Sequence, residues 1–205
     1  MKIKICGMFR TQDISFVNEA LPDYIGFVFA ESSRKVSPEK AFQLRRMLDR
    51  KIKAVGVFVN NDIDFIADLV HNNIIDAVQL HGSEDIEFIK TLRERITDEI
   101  PIIKAFSAGS SEEVSKALEF PCDFILLDNG KGGTGKSFDW NLIGDKNISE
   151  KIFLAGGICL DNISDAVKLH PFCIDVSSGA ETNGIKDKNK ITELVDTVHS
   201  FRMQK

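Results

Sequence analysis

The chain has 205 residues, room for one large domain or two small ones, with no linker or composition shift to mark a second domain within residues 1–205; at 43% hydrophobic and 28% charged it excludes disordered and fibrous classes. A net charge of −5 and a pI near 5.4 give no long-range pull on nucleic acid or an anionic membrane, so neither is expected as a partner. An anionic ligand therefore needs a local site, such as a glycine-rich turn or a helix amino terminus. No apolar run approaches the roughly 18 residues of a membrane span. The start MKIKICG lacks the apolar stretch of a signal peptide, so a cytoplasmic location is expected. The four cysteines, Cys6, Cys122, Cys159 and Cys173, form no C-x-x-C pair, and His170 with Cys173 has no second pair to complete a metal site. Reduced thiols and no metal are expected.

Short β-branched or aromatic runs recur at 2–6, 24–29, 53–59, 76–80, 101–106, 123–127, 151–155 and 173–176, with starts 22 to 29 residues apart. That period is one strand plus one helix. Between the runs lie amphipathic patterns. Ser37 caps a helix with Pro38 at its first position, and Ala41, Leu44 and Leu48 follow at helical spacing. Ile63, Ile66, Ala67 and Val70 repeat in the same way, as do Ile191, Leu194, Val195 and Val198. Ser110 and Glu113 have the spacing of a capping box for a helix ending near Leu118, whereas 129–150 is mostly loop. Most strand runs are continuously apolar, so both faces are covered. Eight parallel strands joined by right-handed crossovers predict an α/β fold, a (β/α)8 TIM barrel in a single domain. A doubly wound open sheet is the alternative, because periodicity does not report closure.

In a barrel the residues that follow each strand face one mouth. Cys6 and Gly7 follow the first run, 31–34 the second, Asn60 the third, and His81 with Gly82 the fourth. Ser107, Asp128, Gly156-Gly157 and Ser177-Ser178-Gly179 follow the rest. Cys6 is either core filler, the usual fate of an unpaired cysteine, or a base. Asp128 leaves an apolar run for the mouth, where burial favours the protonated form that a general acid needs; a helix cap or loop salt bridge is the alternative. Arg34 either clamps a carboxylate or is solvated beside Lys35. His81 either touches substrate or braces the fourth strand. Gly156, Gly157, Ser178 and Gly179 offer backbone N–H groups to a phosphate, unless they are only tight turns. Gly130, Gly135, Lys136 and Ser137 match the Walker pattern, but Phe138-Asp139-Trp140 follows instead of a long helix, so a glycine-rich lid over the mouth is the better reading.

Nine blocks then converge: KICG (4–7), GFVF (26–29), SRKVSP (33–38), VGVFVN (55–60), VQLHG (78–82), ILLD (125–128), GGTGKSFDW (132–140), LAGGI (154–158) and DVSSGAE (175–181). Together, and in order along nearly the whole chain, they resemble the phosphoribosylanthranilate isomerases of tryptophan biosynthesis. The resemblance implies the third step from chorismate, an Amadori rearrangement without metal or organic cofactor. The implied ligand is a small phosphorylated sugar-anthranilate, and the implied assembly a monomer or homodimer. It implies Asp128 as general acid, Cys6 as general base, and Arg34 and His81 as substrate-binding residues. Phosphate would be held at Gly132, Gly135, Gly156, Gly157, Ser178 and Gly179. Two places depart from the family pattern: Met8-Phe9-Arg10-Thr11 in the first loop, and Asn183-Gly184, where a proline often precedes the glycine. A related barrel isomerase of histidine biosynthesis is disfavoured, because that family's pattern has aspartate where Cys6 stands.

Overall fold

Strand and helix alternate through the chain because apolar runs of period two give way, every twenty-odd residues, to capped segments of period 3.6. The computed structural model describes residues 1–129, 139–143 and 150–203. Its first half runs β1 (Lys2–Cys6), α1 (Thr11–Ala20), β2 (Tyr24–Val28), α2 (Pro38–Met47), β3 (Lys53–Phe58), α3 (Ile63–His71), β4 (Ala77–Leu80) and α4 (Ile86–Arg95). The second half adds β5 (Ile102–Ser107), α5 (Ser111–Glu119), β6 (Phe124–Asp128), β7 (Ile152–Leu154), α6 (Ile163–Lys168) and β8 (Cys173–Val176). A short antiparallel pair, β9 (Glu181–Thr182) and β10 (Ile185–Lys186), precedes α7 (Lys188–Met203). The strands pair in sequence order, all parallel, and β8 returns to β1 from Lys2↔Cys173 to Ile5↔Val176. That last ladder decides for the barrel over the open sheet.

Cap chemistry sets where the helices start. Ser37 Oγ accepts from the Lys40 N–H at 3.2 Å with Pro38 next in line, and Asp62 and Asp85 cap α3 and α4 in the same way. At α5, Ser110 accepts from the Glu113 N–H, but the return bond departs from a capping box. Glu113 Oε2 accepts from the Gly109 N–H at 2.8 Å, one residue upstream of Ser110. The missing side chain explains it, because a Cβ on residue 109 would sit 2.8 Å from that same oxygen.

Strand alternation divides the core into two layers. Ile3, Ile5, Ile25, Phe27, Val78, Leu80, Ile125, Leu127, Ile174 and Val176 point outward and pack under the helices. Inside, the amino-terminal half of the lumen is filled by Val55, Ala77, Ile103, Leu126, Phe153 and Cys173, with Tyr24, Phe124 and Phe172 beneath. The Phe124 and Phe172 rings stack at 4.5 Å, and Phe153 meets Phe124 edge-on at 5.5 Å. Each buried Phe or Leu contributes about 1.5–3 kcal/mol of transfer free energy. This plug closes the lower barrel and leaves the carboxyl ends of the strands as the open end. Among the described residues, no helix is long and apolar enough to cross a membrane.

Candidate active site

The same alternation that sends Ile3 and Ile5 outward turns Lys4 and Cys6 into the lumen. Cys6 then borders a cavity of about 300 Å³ at the carboxyl end, with Arg34, Gln79, His81, Asp128, Gly156, Gly157, Asp175 and Ser178 among its walls. A wider surface groove of about 910 Å³ beside α7 holds none of these residues. The Cys6 sulfur lies against β2, where a Cβ on Gly26 would sit 2.6 Å from Sγ. Only glycine leaves the sulfur room there. Burial pushes the Cys6 thiol up, opposed by the Lys4 ammonium, and Asp175 pushes it further.

Asp128 occupies the last ladder position of β6, opposite Ser107, and is 9% exposed. Its Oδ1 accepts from the Asn129 N–H at 2.6 Å. Gly156, at φ +85°, passes so close that a Cβ there would lie 2.9 Å from Asp128 Oδ1. The turn after β7 is thus shaped around this carboxylate. His81 contacts Gln79 of β4 and also lines the cavity. Its Nδ1 lies 3.1 Å from Gln79 Nε2. With the amide donating, the ring proton sits on Nε2, which faces Asp128 Oδ2 at 3.7 Å. Burial pulls the imidazole below its ordinary pKa, opposed by the Asp128 carboxylate.

Arg34 meets a carboxylate, and that carboxylate belongs to the protein. Its Nε and Nη2 donate to the two oxygens of Glu181 at 2.6 and 2.7 Å. Such a fork-on-fork pair fixes the guanidinium plane. Nη1 makes no hydrogen bond among the described residues. Glu181 also takes the Lys186 ammonium, which donates in addition to the Ser177 carbonyl at 3.0 Å.

At the ends of β7 and β8, the backbone N–H groups of Gly157 and Ser178 donate to nothing among the described residues. Ser178 opens a short 3-10 turn, Ser178–Ala180. Two adjacent strand ends therefore present free donors, the local feature an anion needs in an acidic chain. Gly179 lies behind them, and a Cβ there would reach to 2.0 Å from the Ile158 carbonyl, so it locks the two turns together. Gly132, Gly135 and the Walker-like stretch from Gly130 to Ser137 lie outside the described residues.

The family model for N-(5'-phosphoribosyl)anthranilate isomerase matches residues 3–197. This chain belongs to that family. The isomerase of Endomicrobium trichonymphae is 48% identical to it, over 98% of this chain and 99% of that one. The crystal structure of the enzyme from Thermus thermophilus superposes with a TM-score of 0.85 at 28% identity, covering 98% and 100% of the two chains. Another solved isomerase, in complex with reduced 1-(o-carboxyphenylamino)-1-deoxyribulose 5-phosphate, gives 0.82 at 34% identity, covering 98% and 99%. The protein is accordingly an isomerase of tryptophan biosynthesis.

Of the strand-end residues, Asn60 turns away from the cavity, accepting from the Ser83 N–H at 2.8 Å, and Ser107 borders an adjoining crevice that His81 and Asp128 also line. Reading the strand ends of this isomerase from its sequence misses others. Gln79 and Asp175 sit inside β4 and β8 and still line the cavity, and Lys4 lies below them. Glu181, a further surprise, reaches Arg34 from beyond β8. A signal was present for the first three: each is a polar residue at an inward position of an otherwise apolar strand.

Proposed function

We propose that residues 1–205 form one catalytic domain that converts N-(5'-phosphoribosyl)anthranilate to 1-(2-carboxyphenylamino)-1-deoxyribulose 5-phosphate by an Amadori rearrangement. Asp128 gives its proton to the ring oxygen as the bond from that oxygen to C1 breaks, and the nitrogen lone pair closes a protonated Schiff base. The Cys6 thiolate then takes the proton from C2, and the C2–H electrons flow toward the iminium to leave an enolamine. Loss of the C2 hydroxyl proton and protonation at C1 give the ketone. Arg34 Nη1 holds the anthranilate carboxylate, and His81 donates from Nε2 toward a sugar oxygen near Asp128. The N–H groups of Gly157 and Ser178 hold the phosphate. Four free thiols fit a reducing, cytoplasmic setting for this step.

One observation carries this reading. The Cys6 thiol at the end of β1 and the Asp128 carboxyl at the end of β6 border the same cavity, and Gly157 and Ser178, whose N–H groups have no partner among the described residues, lie on its wall. Two proton transfers at different atoms of one sugar need such a separated pair. The test is to generate phosphoribosylanthranilate in situ and follow its fluorescence after adding the purified protein. Loss of fluorescence with formation of the ribulose phosphate, at a rate unaffected by EDTA, is expected. Persistence of the substrate signal contradicts the assignment.

A further inference from the structure

Lys4 heads the fully buried side chains by size, and nothing in the reaction above uses it. It lies on β1 two residues before Cys6, so both side chains leave the inward face of the strand. Its ammonium donates to Asp175 Oδ2 at 2.8 Å, straight across the ladder, where Lys4 and Asp175 are register partners. An ion pair shut away from water is no better for stability than well-packed apolar residues, and Ile3 and Ile5 show that the strand carries those readily. Asp175 Oδ1 is also buried without a partner among the described residues. A pair so placed serves something other than packing.

The nearest use is Cys6. A thiolate at 8% exposure needs a resident cation, because burial disfavours the charged form. We propose that Lys4 is a positioning residue for the reaction, the counter-ion that stabilises the Cys6 thiolate when it forms inside the barrel, and that Asp175 fixes its ammonium on the same inward face. This rests on the reading of Cys6 as the base. Lys4 stays an ammonium and Asp175 a carboxylate throughout; the only proton that moves is the one Cys6 takes from C2.

The charged groups acting on the sulfur come from four elements: Lys4 on β1, Asp175 on β8, Lys186 on β10 and Arg34 after β2. His81 and Asp128 border the same cavity. Glu181 binds both Arg34 and Lys186 and so offsets part of their charge. Asp175 and Lys4 act on Cys6 with opposite sign: the carboxylate pushes the thiol up and the ammonium pulls it down. Their removal must therefore have opposite effects.

The experiment follows Cys6 alkylation by iodoacetamide against pH, read by peptide mass spectrometry in the intact wild type and in Lys4→Met and Asp175→Asn. Lys4→Met is expected to move the midpoint up by about one pH unit, a roughly tenfold slower reaction at pH 7. Asp175→Asn is expected to move it down, and the pH profile of kcat/KM to follow both. Loosened packing alone would shift both variants alike, so shifts of the same sign, or none, overturn the proposal. Should Lys4→Met fail to fold, Lys4→Gln is read in its place, and an unmoved or lowered midpoint overturns the proposal. Full activity in Cys6→Ala would remove the reading of Cys6 as base, whereas the alkylation midpoints still report whether Lys4 sets the thiol's ionisation.

Discussion

Two buried cysteines in one barrel lumen make the instructive comparison. Cys173 starts β8 in the amino-terminal half among Phe153, Leu126 and Ala77, with no exposed surface, and burial pushes its thiol well up. Cys6 ends β1 in the carboxyl half, beside a cavity and above the Lys4 ammonium. The residue type and the inward orientation are shared. What differs is the neighbourhood: aromatic rings below, paired charges and free N–H groups above. The lower lumen stabilises the barrel, and the upper lumen uses that rigidity to hold groups whose burial would otherwise be unfavourable.

The comparison breaks most visibly in the upper half. Asp128→Asn should lower kcat by about 10²–10⁴ while leaving the melting temperature near that of the wild type. Steady-state kinetics beside thermal denaturation checks both at once. In the lower half, Phe153→Ala should cost about 3–5 kcal/mol of stability in urea titrations, with kcat of the folded fraction preserved. Gly156→Ala lies between the halves. Its Cβ collides with Asp128 Oδ1 at a φ of +85°, so about a tenfold loss of kcat with only about 1–3 kcal/mol of strain is expected, and a silent substitution would show that the turn is not fitted to the acid. Cys173→Ala should be the mildest, about 1 kcal/mol less stable with unchanged kcat. Across pH, kcat/KM should climb through the alkaline range, because the thiolate is the active form and burial holds the Cys6 thiol up. A flat profile would detach the rate from that ionisation.

The barrel was legible because its strands are apolar runs at a steady period, and each observed strand falls within one residue of its expected ends. Closure was legible only as a rule about crossovers; the Lys2↔Cys173 ladder supplies it. The site was half legible. Residues at or just beyond the strand ends, Cys6, Arg34, His81, Asp128 and Gly156-Gly157, were found by position, since a parallel barrel sends its strand ends to one mouth. Lys4, Gln79 and Asp175 were passed over because polar letters inside apolar strands look like tolerated exceptions until register sets them on the inner face. Glu181 gave no local signal at all. Its bond to Arg34 spans 147 residues, and only the closed fold brings them together.

The most direct test of the division between the two halves is a single-turnover experiment with the Cys6→Ala and Cys173→Ala proteins, each supplied with enzymatically generated phosphoribosylanthranilate. Conversion should fall by about 10²–10⁴ in Cys6→Ala, with a circular dichroism spectrum like the wild type's, and should be unchanged in Cys173→Ala. Wild-type conversion in Cys6→Ala would contradict the account, for the upper cysteine would then be core filler like the lower one.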